Sequence, residues 1–222
     1  LRLSASGGCQ RALAYGYHHT IENGMGIDAG SKIAFTIGDI TEAFLVAAIK
    51  EVFAMWGQHN GSVYCTGKDQ AEVYLGVALG EDRVAKVAGH PDGFMSFEST
   101  MGVIHDVVLE VKSMSDYAFK RFRDNGLSSD DSYYWQVQAY MASSDKKMAY
   151  LISYGKATTA KEAYIDDDGN WWPASPIHGQ WIFRDDEVIE QIKDKFRAVI
   201  QSASPDDIER PYGPNKKGML AF

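Results

Sequence analysis

Val107-Val108-Leu109-Glu110-Val111-Lys112 reads as a β-strand, and together with the earlier Gly89-His90-Pro91-Asp92-Gly93 it decides the architecture. Strand alternation puts Val107, Leu109 and Val111 on one face, toward a core, and sends Glu110 and Lys112 out from the other. A carboxylate and an ammonium therefore leave the sheet side by side. If Asp92 ends the neighbouring strand, a second carboxylate joins the first. Two such groups with nothing basic between them favour a hard divalent cation, with Lys112 next to its bound water.

Working outward, segments 72–79, 83–94 and 103–112 are rich in Val and aromatic residues and broken by Gly and charge, which predicts strands. Helices are expected at 115–123 and 131–143, strands at 148–154, 162–165 and 180–183, and a closing helix at 185–202. Upstream, a short helix is expected over 6–18, and a polar loop is expected near 59–69. A longer helix over about 39–56 carries Leu45, Val46, Ile49 and Phe53 at helical spacing, and Glu42 heads the same stripe, where a core residue is expected. The order implies an α/β fold, a mixed sheet flanked by helices. With no repeat or linker, the expectation is a single domain over 1–222: a helical part to about 57, a core over about 70–155 and C-terminal strands and helix beyond.

The 222 residues are 45% hydrophobic, enough to bury a core, so disorder is excluded. The net charge of −8 argues against binding nucleic acid by bulk attraction to phosphate, but leaves room for a local site where acids hold metal. Two distant cysteines and no signal-peptide pattern point to a reducing, cytoplasmic setting without disulfides. No apolar run is long enough to span a membrane. Leu1 stands where an initiator Met would, so the numbering need not start at the native N-terminus.

Gly89-x-x-Asp92, then Glu110-x-Lys112, then Gln136-Val137-Gln138-Ala139-Tyr140 on a helix, is similar to the PD-(D/E)XK nuclease superfamily in its RecB-like exonuclease branch. Cys9-Gln10-Arg11 followed by Tyr15 resembles the opening of CRISPR-associated and phage members. The likeness runs from Ser4 to Tyr154 and implies the restriction-endonuclease-like core of that superfamily. It implies that Asp92, Glu110 and the backbone carbonyl of Val111 hold Mg²⁺ or Mn²⁺, one ion or two. Glu42 would contribute at a position where many members have His, the alternative being a helix carboxylate paired with a base. Lys112 would orient or deprotonate the attacking water, and Gln136 and Tyr140 would support the site. Lys120, Arg121 and Arg123 would give a confined phosphate track, and His90 would line the site. Arg11 is open between a terminal phosphate and an ordinary salt bridge.

Cys9 resembles the first cysteine of an iron–sulfur cluster in some relatives, but with only Cys65 besides it no such cluster is expected, and Cys9 reads as a small packed residue. Asp166-Asp167-Asp168-Gly169-Asn170 resembles a calcium loop but has Ile177 where Glu is required, so a hairpin turn is expected. His18-His19, His59 and His178 lack partners at ligand spacing, and Trp171-Trp172 is expected to cover the sheet. The implied activity is a Mg²⁺- or Mn²⁺-dependent exonuclease on linear DNA in phage-type or repair recombination, acting in the host cytoplasm if phage-encoded. A recombinase or single-strand-binding protein is an expected partner, a homo-oligomer is in keeping with the family, and no membrane is involved. A structure-specific endonuclease and a catalytically silent nucleic-acid-binding module are the alternatives. Lys112→Ala or Glu110→Ala is expected to abolish cleavage and leave folding intact.

Overall fold

The computed structural model describes residues 1–18, 28–55, 61–128, 131–156, 164–165, 171–172 and 175–208. The elements are α1 (Gln10–Tyr17), α2 (Ala29–Met55), β1 (Ser62–Tyr64), β2 (Val73–Ala78), β3 (Val84–Gly89), β4 (Gly93–Glu98) and β5 (Ile104–Met114). They continue with α3 (Asp116–Asn125), α4 (Ser132–Ser143), β6 (Met148–Gly155), β7 (Tyr164–Ile165), β8 (Trp171–Trp172), β9 (Ile177–Phe183) and α5 (Asp186–Gln201). A five-stranded sheet runs in the order β1-β4-β5-β6-β9; β2 pairs with β3, and β7 with β8. The β5–β6 pair is parallel, its crossover carrying α3 and α4, while the other pairs are antiparallel. This is the expected mixed sheet flanked by helices. No helix among the described residues is long and apolar enough to cross a membrane. His19, His59, the 166–170 turn and the side chains of Trp171 and Trp172 lie outside the described residues.

Three boundaries differ from the sequence reading. Segment 83–94 is two strands in two different sheets, because Pro91 lacks the N–H a ladder needs. Asp92 consequently precedes β4 instead of ending a strand. Helix α2 begins ten residues before the expected start, and its added turns carry Ile33, Phe35 and Ile37 exposed. The three-residue β1, too short for a period to show, pairs with β4.

Both faces of the sheet are covered. On one, Leu45 and Val46 of α2 pack with Met95, Val107, Leu109, Val111 and Ile152. On the other, Val108 lies with Phe119 and Phe122 of α3, Val137 and Tyr140 of α4, and Ile192 and Phe196 of α5. Alternation along β5 therefore separates two cores, and the face that carries Glu110 is roofed by α3, α4 and α5. Helix α5 is amphipathic, with Val188, Ile189, Ile192, Phe196 and Val199 buried. Its first turn is capped by the Asp185 carboxylate, which accepts from the N–H groups of Glu187 and Val188.

Candidate active site

The site forms where β4 starts beside the middle of β5. Gly93 is opposite Leu109 in the antiparallel register, so Asp92 reaches the strand position of Val111, whose N–H donates to Asp92 Oδ2 at 2.8 Å. The N–H and C=O of one strand residue lie on the same edge, which sets the Val111 carbonyl on the Asp92 side. Glu110, one residue earlier, is 1% exposed. Its Oε1 pairs with Lys112 Nζ and accepts from Gln136 Nε2 at 2.7 Å, while its Oε2 is buried without a partner.

Gln136 and Tyr140 occupy one face of α4, and Gln136 Nε2 also reaches the Tyr140 hydroxyl at 3.3 Å. A Cβ at Gly89 would lie 2.8 Å from Tyr140 Cε1 and 2.7 Å from Leu3 Cβ, so only glycine admits the ring there. The residues Gly89, Asp92, Glu110, Lys112, Gln136 and Tyr140, spread over 52 positions, thus converge on one carboxylate. Lys112 lies over the ring of Tyr133, 5.2 Å from its centroid, a contact that sequence spacing did not signal.

Glu42 sits half-buried on α2, within electrostatic reach of Asp92 and Glu110, its Oε1 accepting from Gln70 Nε2 at 3.0 Å. It is paired with an amide and not with a base. Gln70 was missed by sequence reasoning because it lies in a polar loop, 28 positions away, with no periodic pattern around it.

The electrostatics follow from burying several carboxylates together. Burial, and then the neighbouring Asp92, push Glu110 up to about 8, against the pull of Lys112. Burial also raises Asp92, and burial followed by Asp92 raises Glu42. Burial acts to lower Lys112, but Glu110 and Asp92 outweigh it and hold the ammonium above its ordinary range. A carboxyl raised in the folded state keeps its proton where the unfolded chain has already lost one. The stability this group contributes is therefore full below its ordinary value of 4.5 and is lost as pH rises through about 8. Lys112 is charged in both states across that window and adds no slope. The metal-free protein is expected to lose thermal stability from about pH 5 to 8, and Glu110→Gln should flatten the curve. Melting curves across that range check this, and an equally steep fall in the variant overturns it.

The donors suit a hard divalent cation: all are oxygens, three are carboxylates in mutual range, and Glu110 Oε2 is a buried acceptor with nothing to accept from. Among the described residues no three His, Cys, Asp or Glu side chains are already gathered tightly enough to hold an ion. Asp92, Glu110, Glu42 and the Val111 carbonyl are the oxygens that would hold such an ion.

The remaining candidates go elsewhere. His90 is exposed and faces Glu72, with Nε2 to Oε1 at 3.7 Å, so it does not line the site; it follows β3, whereas Asp92 immediately precedes β4. Arg11 donates to the Ile208 carbonyl at 2.7 Å and pairs with Asp206, fastening α1 to the C-terminal turn at Pro205–Asp207. This is the salt-bridge alternative, made across the fold and not within a helix. Lys120 pairs with Asp116 at 3.2 Å, Arg123 with Asp124 at 2.8 Å, and Arg121 with Asp131, so each cation of the expected phosphate track on α3 has a carboxylate neighbour. Cys9 is exposed instead of packed, at the residue that precedes α1. The His178 ring stands edge-on to Phe122 at 5.0 Å.

No family model and no curated protein matches this chain. Among solved structures it is similar to that of SSO0001, with a TM-score of 0.54 and 18% identity over 92% of this chain and 78% of the other. It is also similar to an alkaline exonuclease (LHK-Exo) from Laribacter hongkongensis, TM-score 0.49 and 16% identity over 90% and 85%. A phage related exonuclease from Haemophilus somnus 129PT matches with TM-score 0.34 and 20% identity over 56% and 58%. The SSO0001 likeness shows a shared fold.

Proposed function

We propose that the protein is a divalent-metal-dependent nuclease that degrades linear DNA from its ends. The observation that supports this most is the buried Glu110, paired with Lys112, with its second oxygen unpartnered and Asp92 anchored beside it by the Val111 N–H. Asp92, Glu110 and the Val111 carbonyl would hold Mg²⁺ or Mn²⁺, with Glu42 contributing to that ion or to a second. When bound, such an ion activates water and neutralises charge on a phosphate. The chain's own residues do the positioning. Gln136 donates to Glu110 Oε1 and so fixes the carboxylate plane, while Tyr140 backs Gln136. Lys112, kept protonated by its acidic neighbours, is a donor and a positive charge for the attacked phosphate and not a proton acceptor.

The test compares linear DNA labelled at either end with a covalently closed circle, with Mg²⁺ and with chelator. Linear DNA should be shortened from an end only with metal, and circles should persist. Circles cut as fast as linear DNA would replace the exonuclease with an endonuclease on the same core. No cleavage with either metal ion overturns the nuclease reading.

A further inference from the structure

The α3 cations are occupied by Asp116, Asp124 and Asp131, yet the site itself is acidic and the chain carries −8. A polyanion reaching Glu110 needs positive charge from elsewhere. Lys50 and Lys68 are both exposed and neither has a carboxylate partner among the described residues; Asp69, next to Lys68 in sequence, makes no ion pair with it.

Their placement is built into the fold. Glu42, Val46 and Lys50 follow one another at four-residue intervals on α2, so Lys50 stands about 12 Å along the helix axis from Glu42. Its Nζ donates to Thr66 Oγ1 at 3.4 Å. Thr66 in turn fills the space that Gly93 leaves beside Asp92, where an added Cβ would meet Thr66 Cγ2 at 2.6 Å. From Thr66 the chain makes a turn, Gly67–Asp69, and closes on Glu42 through Gln70. The turn is therefore tied at one end to Asp92's neighbour and at the other to Glu42, with Lys68 exposed on it.

Backbone strain marks the same segment. Cys65 has φ 52° and Gly67 φ 61°. A left-handed non-glycine residue persists only where the surroundings over-determine it. Thr66 against Gly93 and Gln70 against Glu42 hold the residues that follow.

We infer that Lys50, Thr66 and Lys68 form the contact for the phosphodiester backbone of the bound strand, engaging phosphates beside the one at Glu110 and Lys112, in place of the basic residues of α3. This inference rests on the nuclease reading and is tested separately from it.

The experiment measures binding of a labelled single-stranded oligonucleotide by anisotropy, in the Glu110→Gln background so that the probe stays intact, across a salt series. Two phosphate contacts on a single strand account for a slope of about 1.4 in log K against log salt. Lys50→Ala/Lys68→Ala should lower the slope by that amount. Between 50 and 200 mM salt the parent should then lose about sevenfold more affinity than the variant. Lys50→Arg/Lys68→Arg should restore the slope, and Lys120→Ala/Arg121→Ala/Arg123→Ala should leave it unchanged. An unchanged slope in the double alanine variant, or a slope lowered by the α3 variant alone, overturns the inference. Failure of the nuclease reading shows independently, as absent metal-dependent cleavage by the unaltered protein.

Discussion

Glu110→Gln is expected to lower cleavage of linear DNA by about 10³-fold or more, with the protein still folded. The amide keeps the shape of the carboxylate and leaves an oxygen for Gln136 Nε2, so the packing under α4 survives. What disappears is the charge, and with it the donor that distinguishes this buried position from an ordinary core polar group. Because burial, Asp92 and Glu42 disfavour the charged form of Glu110 in the metal-free state, removing its ionisation should also flatten the fall of melting temperature between about pH 5 and 8. End-labelled duplex with Mg²⁺ reads the cleavage and thermal melts the flattening; wild-type cleavage by Glu110→Gln would sink the site assignment.

The second large effect concerns Lys112, and here the structure revises the expectation that the site can be emptied without harm to folding. The Lys112 side chain is 19% exposed and the Glu110 side chain 1%. Breaking a buried pair by removing one partner typically costs about 3–5 kcal/mol, because the remaining charge is left uncompensated. Lys112→Met keeps an aliphatic stem in place and removes only the ammonium. At pH 9 it should therefore destabilise the protein by about that amount. At pH 6 the loss should be smaller, since Glu110 can retain its proton there. The double variant Lys112→Met/Glu110→Gln should regain most of the stability and none of the activity. Denaturant unfolding at the two pH values decides this; a Lys112→Met protein as stable as wild type at pH 9 removes the buried-pair account.

Much of the site was legible because its chemistry is written in short intervals. Glu110 and Lys112 share a face by strand period, Gln136 and Tyr140 by helix period, and each relation needs only local backbone geometry. One of the α3 pairs was equally local, Lys120 with Asp116 four residues apart, and could have been read as an ion pair from spacing alone; Arg123 with Asp124 joins adjacent helix residues, a spacing that predicts no pair. Arg121 with Asp131, Arg11 with Asp206 and Gln70 with Glu42 are different: the partners lie 10, 195 and 28 positions apart, and no period connects them.

The sequence by itself determined most of the order of helices and strands and the placing of Glu110 and Lys112 on one face, since strand and helix periods act within a few residues; Asp92, 18 positions from Glu110, joins them through the β4–β5 register. Only the tertiary structure decided that this face is a second core and not a solvated surface. Burial by α4 is a property of two segments more than twenty residues apart. That burial pushes Glu110 upward, leaves its Oε2 without a partner and turns a common charge alternation into a candidate metal site.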